Sequence, residues 1–200
     1  GVCAACTRHG EQFCTRGEML GKDRDGGYAE QVIVPARNAI AIPERVSFEE
    51  AAIMMCSTAT AYHALRLADL RPGESLAILG FGGLGFSALQ LGGILDASSV
   101  VVVDVVPQKL ETAEAHGAAA VDARRGDVMG EIMRHTGGAD VVLDFAGNAA
   151  TRLAALRALA PGGRLVLVAL GGESFQFDPY ADVLTSERRI IGCSDHLRSE

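Results

Sequence analysis

From residue 74 onward, apolar residues come in short dense runs separated by longer amphipathic stretches. SLAILG (75–80), SVVVVD (99–104), ADVVLDF (139–145), RLVLVAL (164–170) and RRIIGC (188–193) have strand length and little alternation, the pattern of strands covered on both faces. A shorter run, AAAV (118–121), reads the same way. The segments between them predict helices. One runs through SALQLGGIL, one opens at Pro107 and ends at His116-Gly117, one lies near 127–135, and one at 149–160 is stopped by Pro161-Gly162-Gly163. Six apolar strands alternating with helices predict an α/β fold with a parallel, doubly wound sheet over 74–200.

Residues 1–46 break this pattern. GKDRDGG (21–27) is a turn cluster, and YAEQVIV (28–34) and NAIAIP (38–43) alternate briefly before Pro35 and at Pro43. They predict short antiparallel strands of a β-rich unit. Ser47 and Glu50 have capping-box spacing ahead of the apolar run AAIMMC. A second helix at about 59–69 ends before Arg71-Pro72-Gly73, so residues 47–73 read as linking helices.

Composition narrows the function. With 200 residues, 48% of them hydrophobic, the chain can bury one large core plus a smaller appendage. A net charge of -7 without a basic stripe argues against nucleic acid and anionic membranes as partners. The run VVVVDVV (100–106) is too short for a membrane span and is interrupted by Asp104. The five cysteines are an odd number, and Cys3, Cys6 and Cys14 crowd into the first fourteen residues. Reduced thiols or metal ligands fit better than a disulfide framework, which points to the cytoplasm.

The densest chemical signal is LAILGFGGLGFSALQ, in which Gly80, Gly82 and Gly85 form G-x-G-x-x-G with an extra glycine at Gly83. Gly80 suits a tight turn, Gly82 lets backbone approach a pyrophosphate, and Gly85 lets the helix pack against the strand. The free N–H groups at the helix start then face phosphate. The motif leaves a buried strand, opens a helix, and is followed by a second strand ending in Asp104, 19 residues past Gly85. A carboxylate there can accept hydrogen bonds from both ribose hydroxyls and would repel a 2′-phosphate, favouring NAD over NADP. The alternative is that Asp104 only closes the turn after the strand.

In order, the cysteine-rich loop, DGGYAEQVIVPARNAIAIP, CSTATAYHAL, GFGGLG and Asp104 resemble the zinc-dependent medium-chain alcohol dehydrogenases over the whole chain. The resemblance implies the later part of a GroES-like catalytic domain (1–46), the linking helices, and an NAD-binding Rossmann domain (74–200). The family's structural zinc lobe reads C-x2-C-x2-C-x7-C, and Cys3, Cys6 and Cys14 match its last three ligands. The first cysteine is then expected immediately ahead of Gly1, so the sequence is expected to start one residue late. His9 lies in the same loop but does not match the pattern. Taken alone, Cys56 reads as a small buried apolar side chain on a helix. The resemblance makes it the third ligand of a catalytic zinc, whose other two protein ligands lie upstream. It also implies that Thr60 touches the nicotinamide side of the cofactor, that Leu84 backs the nicotinamide ring, and that Lys109 contacts the ribose. Val168, Ala169 and Leu170, ending a strand, would hold the carboxamide with backbone groups. His63, His116 and His135 match no ligand pattern.

The function implied is zinc-assisted, NAD-linked oxidation of a primary or secondary alcohol to an aldehyde or ketone. The two cofactors are NAD and zinc, the latter structural and catalytic. Two alternatives stand beside it: a zinc-free quinone or enoyl reductase of the same superfamily, and a non-catalytic NAD-binding module. The resemblance further implies a homodimer or homotetramer, a continuation past Glu200, and a 200-residue piece that is inactive by itself.

Overall fold

The strand runs SLAIL, SVVVVD and ADVVLD pair side by side because each is buried on both faces. The computed structural model describes residues 2–8, 10–171, 173–197 and 199–200. Its six strands are β1 (Ser75–Leu79), β2 (Ser99–Asp104), β3 (Ala119–Asp122), β4 (Ala139–Asp144), β5 (Leu159–Leu167) and β6 (Arg189–Gly192). They form one sheet in the order β3-β2-β1-β4-β5-β6, with every neighbouring pair parallel. This is the doubly wound, Rossmann-type order, with its switch point between β1 and β4.

Strand periodicity divides the core in two. Leu76, Ile78, Val102, Val141, Leu143 and Val166 face one layer, and Ala77, Leu79, Val101, Val103, Val142 and Leu165 face the other. The first layer is covered by α3 (Ala59–Ala68) and α4 (Gly83–Ile94). The second is covered by α6 (Val128–Thr136) and α7 (Ala149–Arg157). Helix α5 (Pro107–Ala115) begins with Pro107 in its first turn, as expected.

Earlier in the chain come α1 (Ala4–Thr7) and α2 (Phe48–Ile53). The capping box forms: Ser47 Oγ accepts from the Glu50 N–H, and the Glu50 carboxylate accepts from the Ser47 N–H. The helices read as separate at 47–69 are joined by a π-helical turn, Met54–Thr58, which leads straight into α3.

Three expectations need correcting. No strands form at 28–34 or 38–43; among the described residues of 1–46 the only pairing is an isolated bridge, Leu20 to Arg24. Alternation gives a segment one apolar face but no partner for its backbone, and Val32, Ile33, Ile40 and Ile42 stay exposed. The last helix is shorter than expected. It ends at Arg157, β5 begins already at Leu159, and the register shift between Ala139 and Val141 takes up Pro161–Gly163 as a bulge. Finally, β5 ends at Leu167, so Val168, Ala169 and Leu170 lie beyond the strand.

Arg164 on β5 ties the sheet to the end of α3. Its Nε donates to the Ala68 carbonyl at 2.8 Å, and its Nη2 donates to the Asp69 carbonyl at 2.9 Å and to Glu74 Oε2 at 2.5 Å. Those hydrogen bonds, against the opposing effect of burial, hold the Glu74 carboxyl below its ordinary value. A depressed carboxyl stabilises the fold above its unfolded pKa and loses that contribution as pH falls through the folded value. Arg164→Met should cost about 3 kcal/mol in urea unfolding at pH 7, since it leaves two carbonyls without their donor and Glu74 with only the Arg71 N–H. The loss should shrink as the buffer is taken to pH 3; a pH-independent loss would mean that packing, not charge, is at stake.

Candidate nucleotide and metal sites

Gly80 leaves β1 with φ 89°, and a Cβ there would lie 3.2 Å from the Ala146 nitrogen. Gly85 sits so close beneath this turn that a Cβ would overlap the Gly80 carbonyl oxygen. Around Gly82, by contrast, nothing lies within 4 Å of a Cβ position, so the turn is open on that side. Helix α4 starts at Gly83 with no capping side chain and no acid in its first turn. Helices α2, α6 and α7 are capped by Ser47, Asp127 and Asn148. The α4 N-terminus therefore keeps its N–H groups available to an anion. Leu84, next in the turn, packs half-buried against the apolar layer beneath it.

Asp104 ends β2 beside this turn. Its Oδ2 accepts from the Phe81 N–H at 2.7 Å, and its Oδ1 accepts from Val105 and Val106 at 2.7 and 2.9 Å. Burial pushes the carboxyl up, but the three N–H donors outweigh it and the net shift is down. Lys109 lies 3.7 Å from Asp104 Oδ2, half-exposed. The carboxylate thus closes its own turn and braces the glycine turn, while remaining next to a cation at the crevice edge.

The π-helical turn brings the second group of candidates to the first. Ser57 Oγ lies 2.9 Å from where a Gly83 Cβ would be, and Thr58 Oγ1 is 3.2 Å from Ser87 Oγ on α4. Cys56 is in this turn and exposed, not buried as a purely apolar reading requires. π-turns inside helices recur at functional sites. Thr60, one turn on, is buried with Oγ1 3.4 Å from His196 Nδ1. A largely apolar cavity of about 520 Å³ lies against Met54, Met55, Tyr62 and Leu91, but no glycine-turn residue lines it.

Val168 and Ala169 both donate their N–H groups to the Asp144 carbonyl at 3.0 Å, and Leu170 beyond them is fully exposed. Asp144 itself, at the end of β4, is completely buried and pairs with Arg152. Sequence reading missed this pair. Its signal was Arg152 three and four residues before Ala155 and Leu156, on the inward side of α7, where a charge requires a buried partner. It also missed the contact of His63 Nδ1 with Glu200 Oε1 at 2.9 Å, which makes His63 a paired helix residue. His116 Nδ1 lies 2.8 Å from the Thr112 carbonyl, and His135 lies 3.9 Å from Glu131.

In the cysteine loop, Cys3 Sγ lies 3.5 Å from Cys6 Sγ and 3.7 Å from Cys14 Sγ. A tetrahedral zinc with sulfurs at about 2.3 Å requires S···S edges of about 3.8 Å, so the three thiols already hold three corners of such a site. The Cys6 backbone N–H, more than any other contact, lowers the Cys3 thiol to about 6, which favours the thiolate that a metal needs. Among the described residues this is the one group of three or more His, Cys, Asp or Glu atoms close enough to share an ion. Gly1 and His9 lie outside the described residues. Cys56 joins no such group. Among the described residues, no helix is long and apolar enough to cross a membrane.

The chain as a whole is similar to known proteins. The profile of a family described as "Zinc-binding dehydrogenase" matches residues 83–195. An uncharacterised zinc-type alcohol dehydrogenase-like protein of Escherichia coli is 34% identical over 96% of this chain and 56% of its own length. An NAD-dependent alcohol dehydrogenase of Sulfurisphaera tokodaii is 35% identical over 96% of this chain and 56% of its own. The crystal structure of the alcohol dehydrogenase from Aeropyrum pernix superposes with a TM-score of 0.84 at 36% identity, covering 98% of this chain and 58% of that one. The chain therefore spans a little over half the length of these relatives.

Proposed function

The chain belongs to the zinc-binding dehydrogenase family, and on that premise we propose that it carries the nucleotide-binding part of a zinc-assisted, NAD-linked alcohol dehydrogenase. In this reading 74–200 is the NAD-binding domain, 47–73 links it to the catalytic part, and 1–46 belongs to that part with its structural zinc lobe. The observation that carries it is the seating of the Met54–Thr58 turn on the glycine turn, Ser57 against Gly83. Cys56 is exposed and adjacent in sequence to Ser57, which supports reading it near the α4 N-terminus, where a pyrophosphate would bind.

Each group then has a task. The N–H groups at the start of α4 take the pyrophosphate, and the open space at Gly82 admits it. Asp104, ionised and close to Lys109, takes the ribose hydroxyls with whatever acceptor capacity its turn leaves free. Leu84 and the Val168–Leu170 edge flank the nicotinamide, and Thr60 lines its other side. Cys56 offers a thiolate to a catalytic zinc, completed by ligands from elsewhere in the full protein. A zinc bound there would stabilise an alkoxide while hydride leaves for the nicotinamide. The substrate is a small alcohol or carbonyl compound, and cysteines kept reduced for metal binding suit the cytoplasm.

Titrating the 200-residue chain with NADH and with NADPH tests the nucleotide half. NADH should bind about tenfold or more tightly than NADPH, the 2′-phosphate meeting the Asp104 carboxylate. Asp104→Ser should narrow that preference. Equal binding of both by the wild-type chain would defeat the assignment of Asp104 and favour the zinc-free reductase reading.

A further inference from the structure

The geometry points to Asp144 and Arg152 as a positioning pair that sets the nicotinamide end of the crevice, a role that rests on the nucleotide reading above. Asp144 stands at the carboxyl end of β4, at the switch point, and has no solvent exposure. Its Oδ1 accepts the N–H groups of Ala146 and Gly147 at 3.1 and 2.9 Å. Its Oδ2 accepts from Arg152 Nε and Nη2, each at 2.6 Å. Its backbone carbonyl accepts from Val168 and Ala169. One residue thereby ties together two segments that lie outside the strands and helices: the β4–α7 loop and the stretch after β5.

Arg152 extends the clamp. Its Nη1 donates to the Glu173 carbonyl at 3.3 Å, and its guanidinium lies 5.3 Å from the Phe175 ring centre. Glu173 returns to the loop: its N–H donates to the Gly147 carbonyl, and its Oε2 accepts from the Ala149 N–H at 3.2 Å. The clamped loop touches the glycine turn, because Ala146 is the neighbour that confronts Gly80. A buried ion pair is a poor device for stability alone, since apolar side chains of similar volume serve as well. What it supplies is direction. Each donor reaches an oxygen from one angle, so the two loops are held at one separation on the β4–β5 side of the crevice.

The pair lies on the β4–β5 side of β1, whereas Asp104 and Lys109 lie on the β2 side. Loosening it should therefore affect the nicotinamide half of the cofactor and spare the adenosine half. The test compares NADH with ADP-ribose, which lacks the nicotinamide, on the 200-residue chain by calorimetry, with thermal melts alongside. Arg152→Met should weaken NADH about tenfold while ADP-ribose stays within about twofold. Arg152→Lys should recover part of the NADH loss. That variant, which keeps the positive charge but not the forked contact with Asp144 and the Glu173 carbonyl, should still leave NADH weakened by about threefold, and it decides the matter where Arg152→Met does not fold. Equal losses of NADH and ADP-ribose in Arg152→Met, or in Arg152→Lys where Arg152→Met does not fold, would reduce the pair to a structural ion pair. A wild-type chain that binds neither ligand would instead overturn the nucleotide reading and this role with it.

Discussion

Gly85→Ala should destabilise the chain by about 3 kcal/mol or more and abolish dinucleotide binding, whereas Gly82→Ala should leave stability within about 0.5 kcal/mol and still weaken NADH about tenfold or more. The two substitutions add the same methyl group three residues apart. At Gly85 the methyl would overlap the Gly80 carbonyl, which is backbone and cannot swing aside. Relief requires α4 to lift off β1, and that helix, with α3, covers one apolar layer of the sheet. At Gly82 the backbone has φ -92° and ψ -157°, extended geometry that alanine adopts, and the methyl would point into empty space. That space is what a pyrophosphate would occupy. Urea unfolding and NADH titration of the two variants separate a glycine needed by the fold from a glycine needed by a ligand. A Gly82→Ala chain that binds NADH as tightly as wild type would remove the pyrophosphate from this turn.

The residues themselves explain which features the sequence disclosed. SLAILG and SVVVVD were legible as strands because both faces of each are buried, so the run is apolar without alternation. GFGGLG was legible because Gly80 and Gly85 answer local geometric demands, a positive φ at the first and a close helix–strand approach at the second. YAEQVIV was misread because alternation describes one face of a strand and says nothing about a partner; no described segment pairs with it. The bend at Cys56 was illegible for a different reason. A π-helical turn keeps the residue composition of an α-helix, and it is recorded in packing, here Ser57 against Gly83 and Thr58 against Ser87. Thr60 and His196 meet across 136 positions, and Arg164 reaches Ala68 across 96, distances over which no local pattern carries information. Asp144 lay between. Its place at a strand end matched that of Asp104, but its buried partner Arg152 emerged only when α7 was laid on the sheet.

Placing one cysteine immediately ahead of Gly1 should raise zinc affinity on the order of 100-fold. Cys3, Cys6 and Cys14 already approach one another at the spacing of a tetrahedral thiolate site, and an added residue at that position stands at C-x2-C spacing to Cys3. With three thiolates the fourth corner falls to water, which exchanges freely and leaves the metal open to chelators. With four, the site is closed and the metal braces α1 against the turn that follows it. Competition with a chromophoric chelator at pH 7.5 gives the two affinities directly. A melt at excess zinc should rise more for the extended chain, because a metal bound to the folded state stabilises it by mass action. Acidification should release the metal from both chains as thiolates take up protons. Cys6→Ser in the extended chain should return it to the weaker class. If the 200-residue chain held zinc as tightly as the extended one, three protein thiolates would suffice, and the four-cysteine lobe would not describe this loop.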